Sequence, residues 1–127
     1  MQNKRILIID DHEAILEVIR EALLYVNYDV QVIGEGRFFF DAINSFRPDL
    51  VLLDYKLSDS NGGDLCAALK TMPEFRDIPV VISSAYFSKG SIANPGGCDG
   101  ILYKPFNLDE LLATVKSFIG QPVVYES

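Results

Sequence analysis

Residues 6–9, Ile-Leu-Ile-Ile, run straight into Asp10-Asp11, and residues 50–53, Leu-Val-Leu-Leu, run straight into Asp54. Apolar runs this short are the length of strands covered on both faces, the pattern of a parallel sheet with helices above and below it. A third run, Val80-Val81-Ile82, ends in Ser83-Ser84, and a fourth, Ile101-Leu102-Tyr103, ends in Lys104-Pro105. Open parallel sheets carry their chemistry just outside the carboxyl ends of their strands. Three acids, a hydroxyl and a lysine at successive strand ends therefore mark one candidate site.

Between the strands the apolar period changes. Strands are expected over residues 5–10, 29–33, 50–54, 80–84 and 101–104, the second being weaker because Val30 and Val32 alternate with polar neighbours. Ile15, Val18, Ile19, Ala22, Leu23 and Val26 recur at three and four residues and predict a helix with one apolar stripe. Ala42, Ile43 and Phe46 predict a second, and Leu65, Ala68, Leu69 and Met72 a third that stops at Pro73. Leu108, Leu111, Leu112, Val115 and Ile119 predict the last, opened by Asn107 and Glu110 at capping-box spacing and closed by Gly120 and Pro122. The order β-α-β-α-β-α-β-(α)-β-α implies an α/β fold with a right-handed, doubly wound, five-stranded parallel sheet. The bracketed fourth helix is the irregular one. Residues 86–99, YFSKGSIANPGGCD, hold Gly90, Pro95, Gly96 and Gly97, which oppose helix, so a short or irregular helix or a loop is expected there.

The 127 residues fit a single domain, 1–127. A net charge of −7 disfavours binding to nucleic acid, whose affinity comes from clustered Lys and Arg. No apolar run reaches the roughly 18 residues of a membrane span, and Met1 to Arg5 leads directly into a strand without the look of a signal peptide. Cys66 and Cys98 are too few for a disulfide framework or a zinc site and read as reduced thiols of a cytoplasmic protein. His12, the only histidine, reads as an exposed helix-start residue rather than a ligand, and of Phe38-Phe39-Phe40 two rings are expected in the core and one outside.

A hard divalent cation such as Mg2+ takes carboxylates, water and phosphate oxygens as ligands. Asp10, Asp11 and Asp54 are the candidates, and a cation would relieve their mutual repulsion. An aspartate can also accept a phosphoryl group covalently, with positive charge needed on the transferring oxygens. Lys104 supplies that charge and Ser84 a hydroxyl donor. Each residue alone is ordinary, since aspartate often caps a helix and Lys-Pro often makes a loop. All five together at successive strand ends are not.

On the segments ILIIDDHEAI, PDLVLLDYKLSDSNG, PVVISSA and YKPF, the chain resembles the receiver domain of two-component response regulators over about residues 4–120. The resemblance implies a flavodoxin-like strand order 2-1-3-4-5. It implies a phosphorylation-controlled switch rather than a metabolic enzyme, though one that assists its own phosphorylation and dephosphorylation. Asp54 would be phosphorylated from the phosphohistidine of a histidine kinase or phosphotransfer protein. Asp10, Asp11 and Asp54 would hold Mg2+ with the Lys56 backbone carbonyl. Ser84 would be the switch hydroxyl, Lys104 the phosphate-binding lysine before a cis Pro105, and Gly62 the glycine that lets the third helix start near the site. The downstream protein is left unnamed, and either a monomer or a phosphorylation-dependent homodimer is compatible.

The chain also departs from the family pattern. Ile101 stands at the usual switch aromatic, with Tyr103 on the same strand face. Ser58 replaces a familiar proline, and the segment from Ser84 to Gly100 is about two residues short by the family pattern. Lys56 and Tyr86 would shield the acyl phosphate and slow its hydrolysis. An unusual output surface is expected with intact phosphorylation chemistry. Met1 favours an N-terminal or free-standing receiver. Among other classes, an aspartate-nucleophile phosphatase needs an acid where Lys56 stands, and a flavin module needs a phosphate loop where Asp-Asp-His-Glu stands. A degenerate docking module, not phosphorylated, is kept open by Ile101 alone.

Overall fold

The structure is a computed structural model that describes residues 3–85 and 94–121. Strands β1 (Arg5–Ile9), β2 (Asp29–Ile33), β3 (Leu50–Asp54), β4 (Val80–Ser84) and β5 (Gly100–Tyr103) form one parallel sheet in the order β2-β1-β3-β4-β5. Helices α1 (Glu13–Tyr25), α2 (Phe39–Phe46), α3 (Gly62–Lys70) and α4 (Leu108–Ile119) flank it, with 3-10 turns at Gly36–Phe38 and Pro95–Gly97. The doubly wound parallel sheet is the one expected from the alternating periods, and its strand order is the flavodoxin-like one that the family resemblance implied. Most of the expected irregular helix between β4 and β5 lies in residues 86–93, outside the described residues; its described end, Pro95–Gly97, is a 3-10 turn.

Strand alternation divides the core in two. Leu7, Ile9, Val51, Leu53, Val80 and Ile82 meet Phe39 and Ile43 of α2 and Cys66 and Leu69 of α3. Ile6, Ile8, Leu50, Leu52, Val81 and Leu102 meet Leu16, Ile19 and Leu23 of α1 and Leu111 and Val115 of α4. All of β3 is buried, as befits the middle strand. Each such aliphatic side chain contributes roughly 1.5–3 kcal/mol through its burial.

The stripe expected on α1 is narrower than its sequence implied. Leu16, Ile19 and Leu23 are buried, whereas Ile15 and Val18 are 38% and 58% exposed. Only about one side chain per turn of α1 reaches the sheet, and the flank toward α4 stays open. Leu108, expected in the core, is likewise 44% exposed. On α3 the innermost residues are Cys66 and Leu69, with Leu65 only partly buried. Of the three phenylalanines, Phe39 is buried, Phe40 packs partly buried against the core, and Phe38 is exposed beneath the Arg37 guanidinium, 4.8 Å from its ring centre.

Helix ends follow their residues. The Asn61 side chain accepts hydrogen bonds from the Gly63 and Asp64 amides, and that of Asn107 from the Glu110 amide. The buried Tyr28 hydroxyl donates to the Gly120 carbonyl at 3.0 Å and holds the end of α4.

The described end of the connection into β5, the turn Pro95–Gly97, lies hard against α3. Gly96 has φ +65°, and a Cβ there would sit 2.0 Å from the Gly63 carbonyl oxygen and 2.9 Å from the Ala67 nitrogen. Lys70 Nζ fastens the same seam, donating to Asp99 Oδ2 at 2.7 Å and to the Ile78 carbonyl at 2.9 Å. Cys66 and Cys98 are both buried and free. Burial pushes the Cys66 thiol up to about 11, so it stays protonated and unreactive at neutral pH.

Gly96→Ala adds a backbone clash to left-handed strain and is expected to cost about 3 kcal/mol or more of stability in urea denaturation. Gly97, at φ +73°, has open space where its Cβ would be. Gly97→Ala is therefore expected to cost only about 1 kcal/mol; equal losses would show that the seam has slack.

Candidate functional site

Register decides which side chains meet. Ile9 pairs with Leu53, Asp54 with Ser83, and Ser84 with Tyr103. The ladder continues one step past the strands, with the Asp10 amide donating to the Ile33 carbonyl, Tyr55 to Ser83 and Lys104 to Ser84. Asp10, Asp54, Ser84 and Lys104 therefore emerge along one edge, where an open cleft of about 370 Å³ is lined by Asp54, Ser84, Lys104, His12 and Lys56. Asp10, Asp54 and Ser84 are buried. The Lys104–Pro105 bond is cis.

The centre of the site is an ion pair shared three ways. Lys104 Nζ lies 3.1 Å from Asp10 Oδ2 and 3.4 Å from Asp54 Oδ1. Burial pushes the Asp54 carboxyl above its ordinary value; the neighbouring Asp10 charge pushes the same way, and Lys104 opposes both. Asp11 is partly exposed, yet its Oδ1 is buried and accepts no hydrogen bond among the described residues. Carboxylate oxygens of Asp10, Asp11 and Asp54 and a ring nitrogen of His12 all lie within 4.8 Å of one another. Crowded carboxylates with an orphaned buried oxygen fit a hard divalent cation.

Glycine brings α3 up to the cleft. The Gly62 amide donates to the Tyr55 carbonyl at 2.7 Å, and a Cβ on Gly62 would lie 2.3 Å from the Asp54 carbonyl oxygen. The β3–α3 loop is pinned in turn by Asp59, whose carboxylate accepts from the Gly36 and Arg37 amides at 2.8 and 3.0 Å. Those two bonds hold the Asp59 carboxyl below its ordinary value.

The residues singled out from sequence thus converge: Asp54, Ser84 and Lys104 line the cleft, with Lys56 exposed at its rim, and Asp10 and Asp11 bring carboxylate oxygens within 4.8 Å of Asp54. Ile101 packs partly buried against the core on the α2–α3 side. Tyr86 lies outside the described residues. Two features escaped sequence reasoning. His12 is exposed and starts α1, as expected, but its Nδ1 turns back to 3.0 Å from Asp10 Oδ1 and 3.3 Å from Asp11 Oδ1. An apolar groove of about 610 Å³, with Ile15, Val18, Pro105, Phe106 and Leu108 in its walls, also opens beside Ala85 and Lys104. Its only trace in the sequence is an apolar stripe on α1 wider than one sheet face can cover.

Known proteins resemble this chain in sequence and fold. The response regulator MprA of Mycolicibacterium vanbaalenii is 34% identical over 117 residues, which span 91% of this chain and half of that protein. The polar-differentiation response regulator DivK of Brucella anthropi is 29% identical over 119 residues, 92% of this chain and 97% of that one. Among solved structures, the receiver domain of the Francisella response regulator 1452 superposes with a TM-score of 0.82 at 27% identity, covering 91% of this chain and 96% of its own. The model of the response regulator receiver domain matches residues 6–116, and the chain belongs to that family.

Proposed function

We propose that this chain is a phosphorylation-activated signalling switch that takes a phosphoryl group onto Asp54 from a phosphohistidine on a histidine kinase or phosphotransfer protein. The observation that carries the reading is Lys104 Nζ set between Asp10 and Asp54 at the mouth of one cleft. Receiver domains are signalling switches rather than metabolic enzymes, and the remaining chemistry here is limited to gaining and losing that group.

An Asp54 carboxylate oxygen attacks phosphorus in line, the P–O bond forms as the P–N bond breaks, and the donor imidazole leaves. A Mg2+ ion held by Asp10, Asp11, Asp54 and the Lys56 carbonyl would offset negative charge on the phosphoryl oxygens. Lys104 already points its ammonium at Asp54 and meets those oxygens with little reorganisation. Ser84 lines the same cleft and offers its hydroxyl. The phosphoryl group brings a charge of about −1.5 to −2. Lys104 then divides its attention between Asp10 and the new oxygens, and Ser84 follows at the start of the β4–β5 connection. That change is the signal read by a downstream protein, with or without homodimer formation.

The apolar groove beside Lys104 favours a protein donor over a small one. Ile15, Val18 and Leu108 expose apolar surface next to the cleft, where a donor helix can rest its own apolar face. Nucleic acid is disfavoured by the net charge of −7. No described helix is long and apolar enough to cross a membrane. We take residues 1–127 as one receiver domain working in the cytoplasm.

Incubation with acetyl phosphate and Mg2+ is expected to add one phosphoryl mass to the intact chain, and none to Asp54→Asn or in chelator. No adduct in the parent chain, together with no Mg2+ binding, would favour the docking-module reading. Val18→Asp is expected to slow transfer from a protein donor about tenfold, near 1.4 kcal/mol, while labelling by acetyl phosphate stays unchanged; parallel losses would remove the groove from the reading. Because the folded chain raises the Asp54 carboxyl, the stability tied to its proton is full below the unfolded value of about 3.9. It is lost as pH rises through the folded value. Metal-free Asp54→Asn should therefore melt higher than the parent at pH 7, with the gap closing toward pH 4; a gap that does not vary with pH would contradict this.

A further inference from the structure

The imidazole of His12 takes no part in the transfer described above, yet it faces the acids rather than solvent at one of its nitrogens. His12 is the N-cap residue of α1, and its amide donates to Asp10 Oδ1 at 2.9 Å. That bond folds the backbone back over the carboxylate. Nδ1 consequently lies 3.0 Å from Asp10 Oδ1 and 3.3 Å from Asp11 Oδ1. The Asp11 contact lacks hydrogen-bond alignment, since that oxygen accepts no hydrogen bond among the described residues.

These are separations of neighbouring ligands on one ion. Metal–ligand bonds of 2.0–2.2 Å place adjacent ligands about 2.9 Å apart in an octahedron and about 3.3 Å apart in a tetrahedron. An imidazole has two ways to use Nδ1. With the proton on Nδ1 it donates to Asp10; with the proton on Nε2 it offers a lone pair to a cation. The ring is 62% exposed, so Nε2–H can turn to water when Nδ1 does not carry the proton.

Ligand chemistry then distinguishes ions. Carboxylate and carbonyl oxygens suit Mg2+, whereas imidazole nitrogen suits Co2+, Ni2+ and Zn2+, whose affinities also rise along the first-row series. We propose that His12 is a nitrogen ligand in the cation site and shifts its preference from Mg2+ toward later first-row divalent ions such as Co2+, Ni2+ and Zn2+. This rests on Asp10, Asp11 and Asp54 forming a cation site at all, so the experiment separates the two. Metal-free full-length chain is titrated calorimetrically with Mg2+ and with Co2+, as parent, His12→Ala and Asp11→Asn. Electron spin-echo spectra of the Mn2+-loaded parent and His12→Ala are recorded for nitrogen-14 modulation.

The expected result is Co2+ binding about tenfold weaker in His12→Ala, Mg2+ binding changed by less than about twofold, and nitrogen modulation present in the parent and absent in the variant. Equal losses for both ions would make His12 a positioning residue for Asp10 and overturn the proposal. So would unchanged Co2+ binding or a parent spectrum without nitrogen modulation. Failure of Asp11→Asn to weaken either ion would instead overturn the cation site itself.

Discussion

One ammonium group lies between two buried carboxylates at the end of the sheet. Lys104, just past the edge strand β5, reaches Asp10 beyond β1 and Asp54 on β3, so a single ion pair spans four strands. Two acids buried this close would expel each other or take up protons without a cation between them. Burial and Asp10 do push Asp54 upward, and Lys104 holds the shift in check. The balance is therefore set by whatever positive charge the cleft contains, which is the property a charge-operated switch requires.

The same edge is mechanically tied to the turn that precedes β5. Gly62 lets α3 begin against the Asp54 carbonyl, and Gly63, one residue on, is where Gly96 packs. Two glycine contacts thus connect the backbone of the central acid to the turn before β5 through the first turn of one helix. Lys70 and Asp99 close the far end of that seam. With no side chain to yield in these contacts, a shift at one end has little slack to absorb it.

Much of the fold was legible because parallel strands covered on both faces must be apolar throughout, and the four helical stripes have a different period. The expected strands agree with those found to within a residue, and the cap read at Asn107 works through its own side chain. The stripe on α1 misled because periodicity reports which residues share a helix face, not how much of that face a neighbour covers. Ile15, Val18 and Leu108 carry a core pattern and stay exposed. Cys66 and Cys98 carry no such pattern and are buried.

By itself the sequence determined the α/β class, the strand order through its family resemblance, and the positions of Asp10, Asp11, Asp54, Ser84 and Lys104 at strand ends. Those features follow from local composition and from a topology that puts every strand end on one edge. Only the tertiary structure decided that Lys104 is shared between Asp10 and Asp54, that an oxygen of Asp11 is left without a hydrogen bond, and that the His12 ring folds back over both N-terminal acids. Such contacts depend on strand register and side-chain direction across as many as 94 residues of chain, and no local pattern encodes them.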